Sequence, residues 1–397
     1  MTALYAWGAN SHGQLGLGYV SEQVTSPTRV EELPDHISEP SIRFAVGGGG
    51  HTFLLTAQGR LFGAGWNASG QVGNGTQGRA VPVFQLIRGL EGHHVVTVAC
   101  GWAHSIALSQ SGQVWVWGSN SHGQLGLPTE EVPFTSLPIS LNLTNVVSVS
   151  AGLRHTAVAT RDGRAYTWGH GNRGQLGHMD GDGQVVKLQP TPRVVEHVEG
   201  KQVMTVACGQ STTYALTGEG QVLAWGDNKW GQLAHDPRNV AFFTCPLTIP
   251  HNYFGGHRVL SLRAGWTHCV ASVTNGSTYV WGRADYGQLG PSEEEKDDSS
   301  SDTAVNEEQS QRLRYIPSKL CINKRIKTVA CGSEHNLSIV EESAKENAVY
   351  SWGWNEHGNC GDGTTTNVHQ PRVISLPGAV RVIGAGSGHS FALLKLT

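Results

Sequence analysis

The sequence predicts an all-β protein, a seven-bladed β-propeller, and three observations predict it. A ten-residue motif that begins "WGANSHGQLG" at Trp7 recurs along the 397 residues. A shorter G-x-x-H motif alternates with it. The runs flanking both are short, rich in Val, Ala and aromatic residues, and bounded by glycine-containing turns. No 3.6-residue period extends far enough for a substantial helix.

The long motif returns as "WGSNSHGQLG" at Trp117, "WGHGNRGQLG" at Trp168, "WGDNKWGQLA" at Trp225, "WGRADYGQLG" at Trp281 and "WGWNEHGNCG" at Trp352. A degenerate copy, "AGWNASGQVG", has Ala64 at the Trp position. The glycines that follow this position (Gly8, Gly65, Gly118, Gly169, Gly226, Gly282 and Gly353) are spaced by 57, 53, 51, 57, 56 and 71 residues. The second landmark reads "GGGH" at Gly48, "GWAH" at Gly101, "GLRH" at Gly152, "GQST" at Gly209, "GWTH" at Gly265, "GSEH" at Gly332 and "GSGH" at Gly386.

Each unit can supply four antiparallel strands. Neighbouring strands reverse direction, so both landmark loops emerge on one face of the ring and the Asp/Ser-Gly hairpins on the other. A linear solenoid is the alternative, but the two ends complement each other. The opening strand "LYAWG" is of the kind that elsewhere follows an "H-S-x-A-L" strand, and the chain ends on "GHSFALLKLT". The N-terminal strand is therefore expected to pair in the last blade and seal the ring, leaving no open edge. Residues 1–397 read as one propeller, with an acidic, Ser-rich insertion at 291–314. Eight acids and one Lys lie between Glu293 and Glu308. That composition predicts disorder, and leaves open a tolerated loop or a docking segment.

A Gly-rich turn could also cradle a phosphate. A dinucleotide or P-loop cradle needs one such turn leading into a helix, and the P-loop also needs Gly-Lys-Ser/Thr. Here the turn leads into more strand and occurs seven times, so it reads as architecture, with Gly supplying φ > 0. The net charge of −3 argues against a nucleic-acid partner. Seven Cys without a C-x-x-C pair argue against a disulfide framework or structural zinc. The N-terminus lacks signal-peptide character, and no apolar run approaches the ~20 residues of a membrane span. The expectation is a reduced, cytoplasmic protein, with the nucleus also open, monomeric and without cofactor or metal.

Most prominent residues read as structure. The six repeated His (His51, His104, His155, His268, His335 and His389) fall one per unit, so they cannot converge on one metal ion. They are expected to bond to backbone near the strand start. Cys100, Cys208 and Cys331 read as small core residues, and the Trp of each "WG" as blade packing. Trp102, Trp230, Trp266 and Trp354 fall in turns instead, where an exposed indole favours a partner contact. Arg154 and Arg283, in the same two landmarks, join them as candidates.

The pairing of "G-x-x-H-[ST]-x-A-L" with "W-G-x-N-x-x-G-Q-L-G" resembles the regulator of chromosome condensation family over all seven units. "GLRHTAVAT", "WGRADYGQLG", "CGSEHNLSI" and "SWGWNEHGNCGDGT" are in particular similar to a branch of guanine nucleotide exchange factors linked to secretion. The resemblance implies a propeller face that binds a small GTPase and loosens its nucleotide without covalent chemistry. In the founding member, an exchange factor for the Ran GTPase, an acid directly precedes the His of one G-x-x-H turn. Glu334 is the acid at that position here, which makes it the exchange candidate. A GTPase that holds its nucleotide at nanomolar affinity does so with about −12 kcal/mol, so displacement calls for a broad interface of many loops. The alternative is a non-catalytic adaptor that holds a small protein on the same face, as relatives do in transfer-RNA modification and diphthamide synthesis.

Overall fold

In the computed structural model, which describes residues 2–34, 37, 41–198, 200–292, 312–343 and 346–396, every repeat unit becomes a four-stranded antiparallel sheet. Blade 1 runs from Ile42–Gly47 outward to Val81–Leu86, blade 2 from Val95–Cys100 to Phe134–Ser140, and blade 3 from Val146–Ala151 to Leu188–Val194. Blade 4 runs from Val203–Cys208 to Phe242–Thr248, blade 5 from Val259–Ala264 to Leu313–Lys319, and blade 6 from Arg325–Cys331 to Val368–Val373.

Blade 7 closes the ring. Its inner strands, Gly378–Ala385 and His389–Leu396, come from the end of the chain, and its outer strands, Thr2–Ala9 and Gln23–Arg29, from the beginning. Thr2–Ala9 pairs along its length with His389–Leu396, from Thr2 opposite Lys395 to Gly8 opposite His389. Closure thus uses two N-terminal strands where the sequence pattern had marked one. Residues 293–311, most of the expected acidic insertion, lie outside the described residues. The outer strand of blade 5 already begins at Leu313, inside the span assigned to the insertion.

Apolar clusters lie between neighbouring blades. Phe53 of blade 1, for example, meets Trp117 of blade 2 edge-on at 5.5 Å. Trp7, Trp117, Trp168, Trp225, Trp281 and Trp352 are fully buried, as expected of blade packing. Five of these indoles also donate Nε1–H to the previous blade's loop, Trp117 to the Gln71 carbonyl at 2.9 Å and Trp168 to that of Gln124 at 3.0 Å. The Gly after the Trp position adopts φ between +100° and +111° in all seven units, a backbone region that a Cβ resists.

The six His bond chiefly to side chains of the next blade rather than to backbone, which corrects the sequence expectation. Each Nε2 lies 2.8–3.0 Å from a side-chain oxygen of the next blade: Ser105, Thr156, Thr213, Asn336, Ser390 and Thr52. Ser105, Thr156, Thr213 and Ser390 pass the bond on, each donating its hydroxyl to a loop carbonyl of the blade that owns the His. A hydroxyl that gives its hydrogen to that carbonyl must receive one from the imidazole, so in these four the ring proton sits on Nε2. Burial in apolar surroundings pushes His51, His104, His155, His335 and His389 down to about 3. They are neutral cross-blade rivets.

Candidate functional site

Both landmark loops do meet on one face. In every unit the residue before the His position accepts a backbone bond from the residue after "WG": Trp66 to Gly50, Ser119 to Ala103, His170 to Arg154, Asp227 to Ser211, Arg283 to Thr267, Trp354 to Glu334 and Ala9 to Gly388. The turns are then tied to each other around the channel mouth. Backbone N–H groups of Gly49, Trp102, Leu153, Gln210, Trp266, Ser333 and Ser387 each donate to a turn carbonyl of the next blade, at 2.7–3.4 Å, in a closed circle of seven. The channel below is lined by Gly47, Cys100, Ala151, Cys208, Ala264 and Cys331. The three thiols are therefore channel walls, and burial raises those of Cys100 and Cys208.

The recurrent polar residues of the loops are spent on the loops themselves. Asn10, Asn67, Asn120, Asn228 and Asn355 are fully buried, and each accepts a backbone N–H five residues on. The Gln of "GQL" likewise accepts the N–H two residues before it, as Gln124 does from His122 at 2.7 Å. What the face offers a partner is thus the set of non-recurrent positions, held on a rigid frame.

Trp102 and Trp266 belong to blades 2 and 5, yet their rings meet 5.6 Å apart over the channel mouth. Trp66 stands edge-on to Trp102 at 6.1 Å, and His12 meets Trp66 at 5.6 Å, so the strip crosses half the face. Trp102 is 39% exposed, while Trp230, Trp266 and Trp354 are half-buried. The glycine run at 47–50 makes room for this strip. A Cβ on Gly49 would lie 2.7 Å from the Trp102 ring, and one on Gly50 3.3 Å from Trp66.

Arg283 is tied down. Its guanidinium lies 4.2 Å over Trp230 and 4.4 Å over Tyr286 and bonds both oxygens of Asp285, at 2.7 and 2.9 Å. It braces two half-buried aromatic rings. Glu334 sits below the surface, 6% exposed. Its carboxylate accepts from the Thr267 hydroxyl at 2.6 Å and the Gln288 amide at 2.8 Å, and lies 3.8 Å from His268 Nδ1. Burial pulls His268 down, but the Cys331 thiol and the Glu334 carboxylate outweigh it and carry the imidazole up to about 10. His268 is the charged member of the six. Trp354 packs against His357 at 5.2 Å, and Arg154 stands exposed beside His122 and His170.

Sequence reasoning missed Trp66, His12, His122, His170 and Tyr286. The signal was present: they occupy the non-recurrent places just after "WG" and just before "GQL", where blades abut.

Residues 3–392 match the RCC1-like domain. The chain belongs to the RCC1-like family. Over 99% of its length this RCC1-like chain is 38% identical to the secretion-regulating guanine nucleotide exchange factor of Bos taurus, of which it covers 83%. It is 32% identical to 8% of the human E3 ubiquitin-protein ligase HERC2, across 98% of this chain. Among solved structures it superposes with a TM-score of 0.83 on Prp20p of Saccharomyces cerevisiae, 25% identical, covering 100% of this chain and 92% of that one.

Proposed function

We propose that this RCC1-like chain regulates a small GTPase in the cytoplasm, in the service of secretion, by seating it on the landmark-loop face and promoting release of its guanine nucleotide. The observation that carries the reading is the face itself. Its recurrent residues are consumed internally, and its remaining side chains form a preorganised aromatic and polar crown that spans several blades. Nucleotide release needs such breadth, because a nucleotide held at about −12 kcal/mol yields only to a comparably favourable interface. The relative named as an exchange factor supports the reading, as does Prp20p, studied for its binding to Gsp1p and histones.

A second reading, the adaptor, is favoured by the HERC2 match, in which a ring of this size makes up a small part of a much larger protein. One experiment separates the two. Immobilised full-length chain is used to recover partners from cytosol, and release of fluorescent GDP is followed for each GTPase recovered. Acceleration that Trp102→Ala and Trp354→Ala abolish in a still-folded ring supports exchange. Stoichiometric binding of a non-GTPase on the same residues, with nucleotide release unchanged, replaces it with the adaptor.

A further inference from the structure

All seven blade junctions share one three-residue arrangement on the crown: the residue before a blade's inner His position, the residue after its "WG", and the residue before the "GQL" position of the preceding blade. At the junction of blades 7 and 1 these are Gly50, Trp66 and His12, an uncharged aromatic pair with rings 5.6 Å apart. Between blades 3 and 4 they are Ser211, Asp227 and Arg173, where the carboxylate and the guanidinium interact electrostatically. Between blades 4 and 5 they are Thr267, Arg283 and Trp230, where Asp285 neutralises the guanidinium from 2.7 Å.

The junction of blades 2 and 3 differs. It brings together Arg154, His170 and His122, and among the described residues no carboxylate pairs with Arg154. The two imidazoles meet edge-on with centroids 5.3 Å apart. The His170 N–H donates to the Arg154 carbonyl at 2.9 Å, which fixes the root of the arginine beside the rings. His122 Nδ1 lies 2.9 Å from the Ser121 hydroxyl. Arg154 is exposed and both imidazoles are half-buried.

We infer that Arg154, His122 and His170 form a receptor for one oxyanion group, a carboxylate or phosphoryl oxygen presented by the partner. A planar guanidinium gives paired N–H donors to such a group, and two neighbouring imidazoles add further N–H donors without bringing a competing acid. Desolvation, Arg154 and the neighbouring ring hold His122 below its ordinary range, and desolvation and Arg154 do the same to His170. The charged groups facing the rings are thus Arg154 and the imidazoles themselves, with buried His155 behind His170. A bound anion reverses that bias and makes each ring easier to protonate. The inference rests on the proposed use of this face, but its test needs no partner.

The test titrates the full-length chain with inorganic phosphate, and in a second arm with sodium acetate, against chloride at matched ionic strength. The ring-proton resonances of His122 and His170 are followed across pH. Millimolar phosphate is expected to raise the apparent pKa of both by about half a unit or more while His12 and His357, on the same crown, hold still. Arg154→Ala should abolish the response, and Arg154→Lys should keep a reduced one. A response to phosphate and not acetate assigns a phosphoryl group, and a response to both assigns a carboxylate-sized oxyanion. No response in either arm, or a response that persists in Arg154→Ala, overturns the site. If the anion binds but Arg154→Ala leaves GTPase capture intact, the site stands and the functional reading of that sector falls.

Discussion

At the scale of single residues, Glu334 shows how a functional-looking position can be structural chemistry. It is the acid that the family resemblance brings forward, yet both its oxygens are occupied by Thr267 and Gln288, and its charge faces a buried imidazole. Removing one partner of a buried ion pair leaves the other uncompensated, at about 3–5 kcal/mol. Glu334→Gln keeps the shape and an acceptor for Thr267 while removing the charge. We expect His268 to fall from about 10, by the part that Glu334 rather than Cys331 supplies, and the chain to lose roughly 3 kcal/mol in urea unfolding. Ring-proton NMR of His268 is the direct reading, and an unshifted titration would show that Glu334 is not what charges it. An alanine at this position is a poor probe of exchange, because it disturbs the junction under Trp266 as well as any contact above it.

At the scale of strands and loops, the ring was largely legible in the sequence because every unit writes its turns with the same glycines and its inner strands with the same apolar alternation. Less legible was whatever depends on two blades at once. Four of the six His partners are hydroxyls 52–58 residues downstream, and nothing local to "GLRHT" says that Thr213 will receive His155. The Trp102–Trp266 contact joins turns three blades apart. The closing blade was legible in part: "LYAWG" announces itself as a third strand, whereas "QVTSPTR" carries too little apolar pattern to be seen as the fourth. Its pairing still decides the edge. Deleting residues 2–29 leaves His389–Leu396, six of whose eight residues are buried, with a row of unpaired N–H and C=O groups. The truncated chain should self-associate in size-exclusion chromatography and lose its single thermal transition, and a peptide spanning 2–29 added in trans should restore both. A truncated chain that stays monomeric with one sharp transition would show that the ring does not depend on this closure.

At the scale of the whole molecule, five neutral imidazoles distributed around one ring make stability a function of pH with a predictable sign. His51, His104, His155, His335 and His389 sit at about 3 in the folded chain, against about 6.5 when unfolded. Below 6.5 the unfolded chain takes up protons that the folded chain refuses, so stability is full above that pH and falls as the pH drops toward 3. By pH 5 each imidazole withdraws about 2 kcal/mol, and the five together about 10 kcal/mol, comparable with the whole stability of a typical domain. His268 runs the other way. Its folded value of about 10 is raised, so its contribution is complete below 6.5 and lost as the pH climbs through 10. The chain should therefore unfold in mild acid, near pH 5, and decline more gently in base. Urea midpoints measured from pH 4.5 to 9 check the shape, and a flat profile between 7 and 5 would mean that the rivets are not held neutral. Replacing one of them, as in His104→Gln, should weaken the chain at pH 7.5 yet make its stability less steeply dependent on acid, by one proton out of five. That crossing of the two curves is a signature that a general loss of packing would not produce.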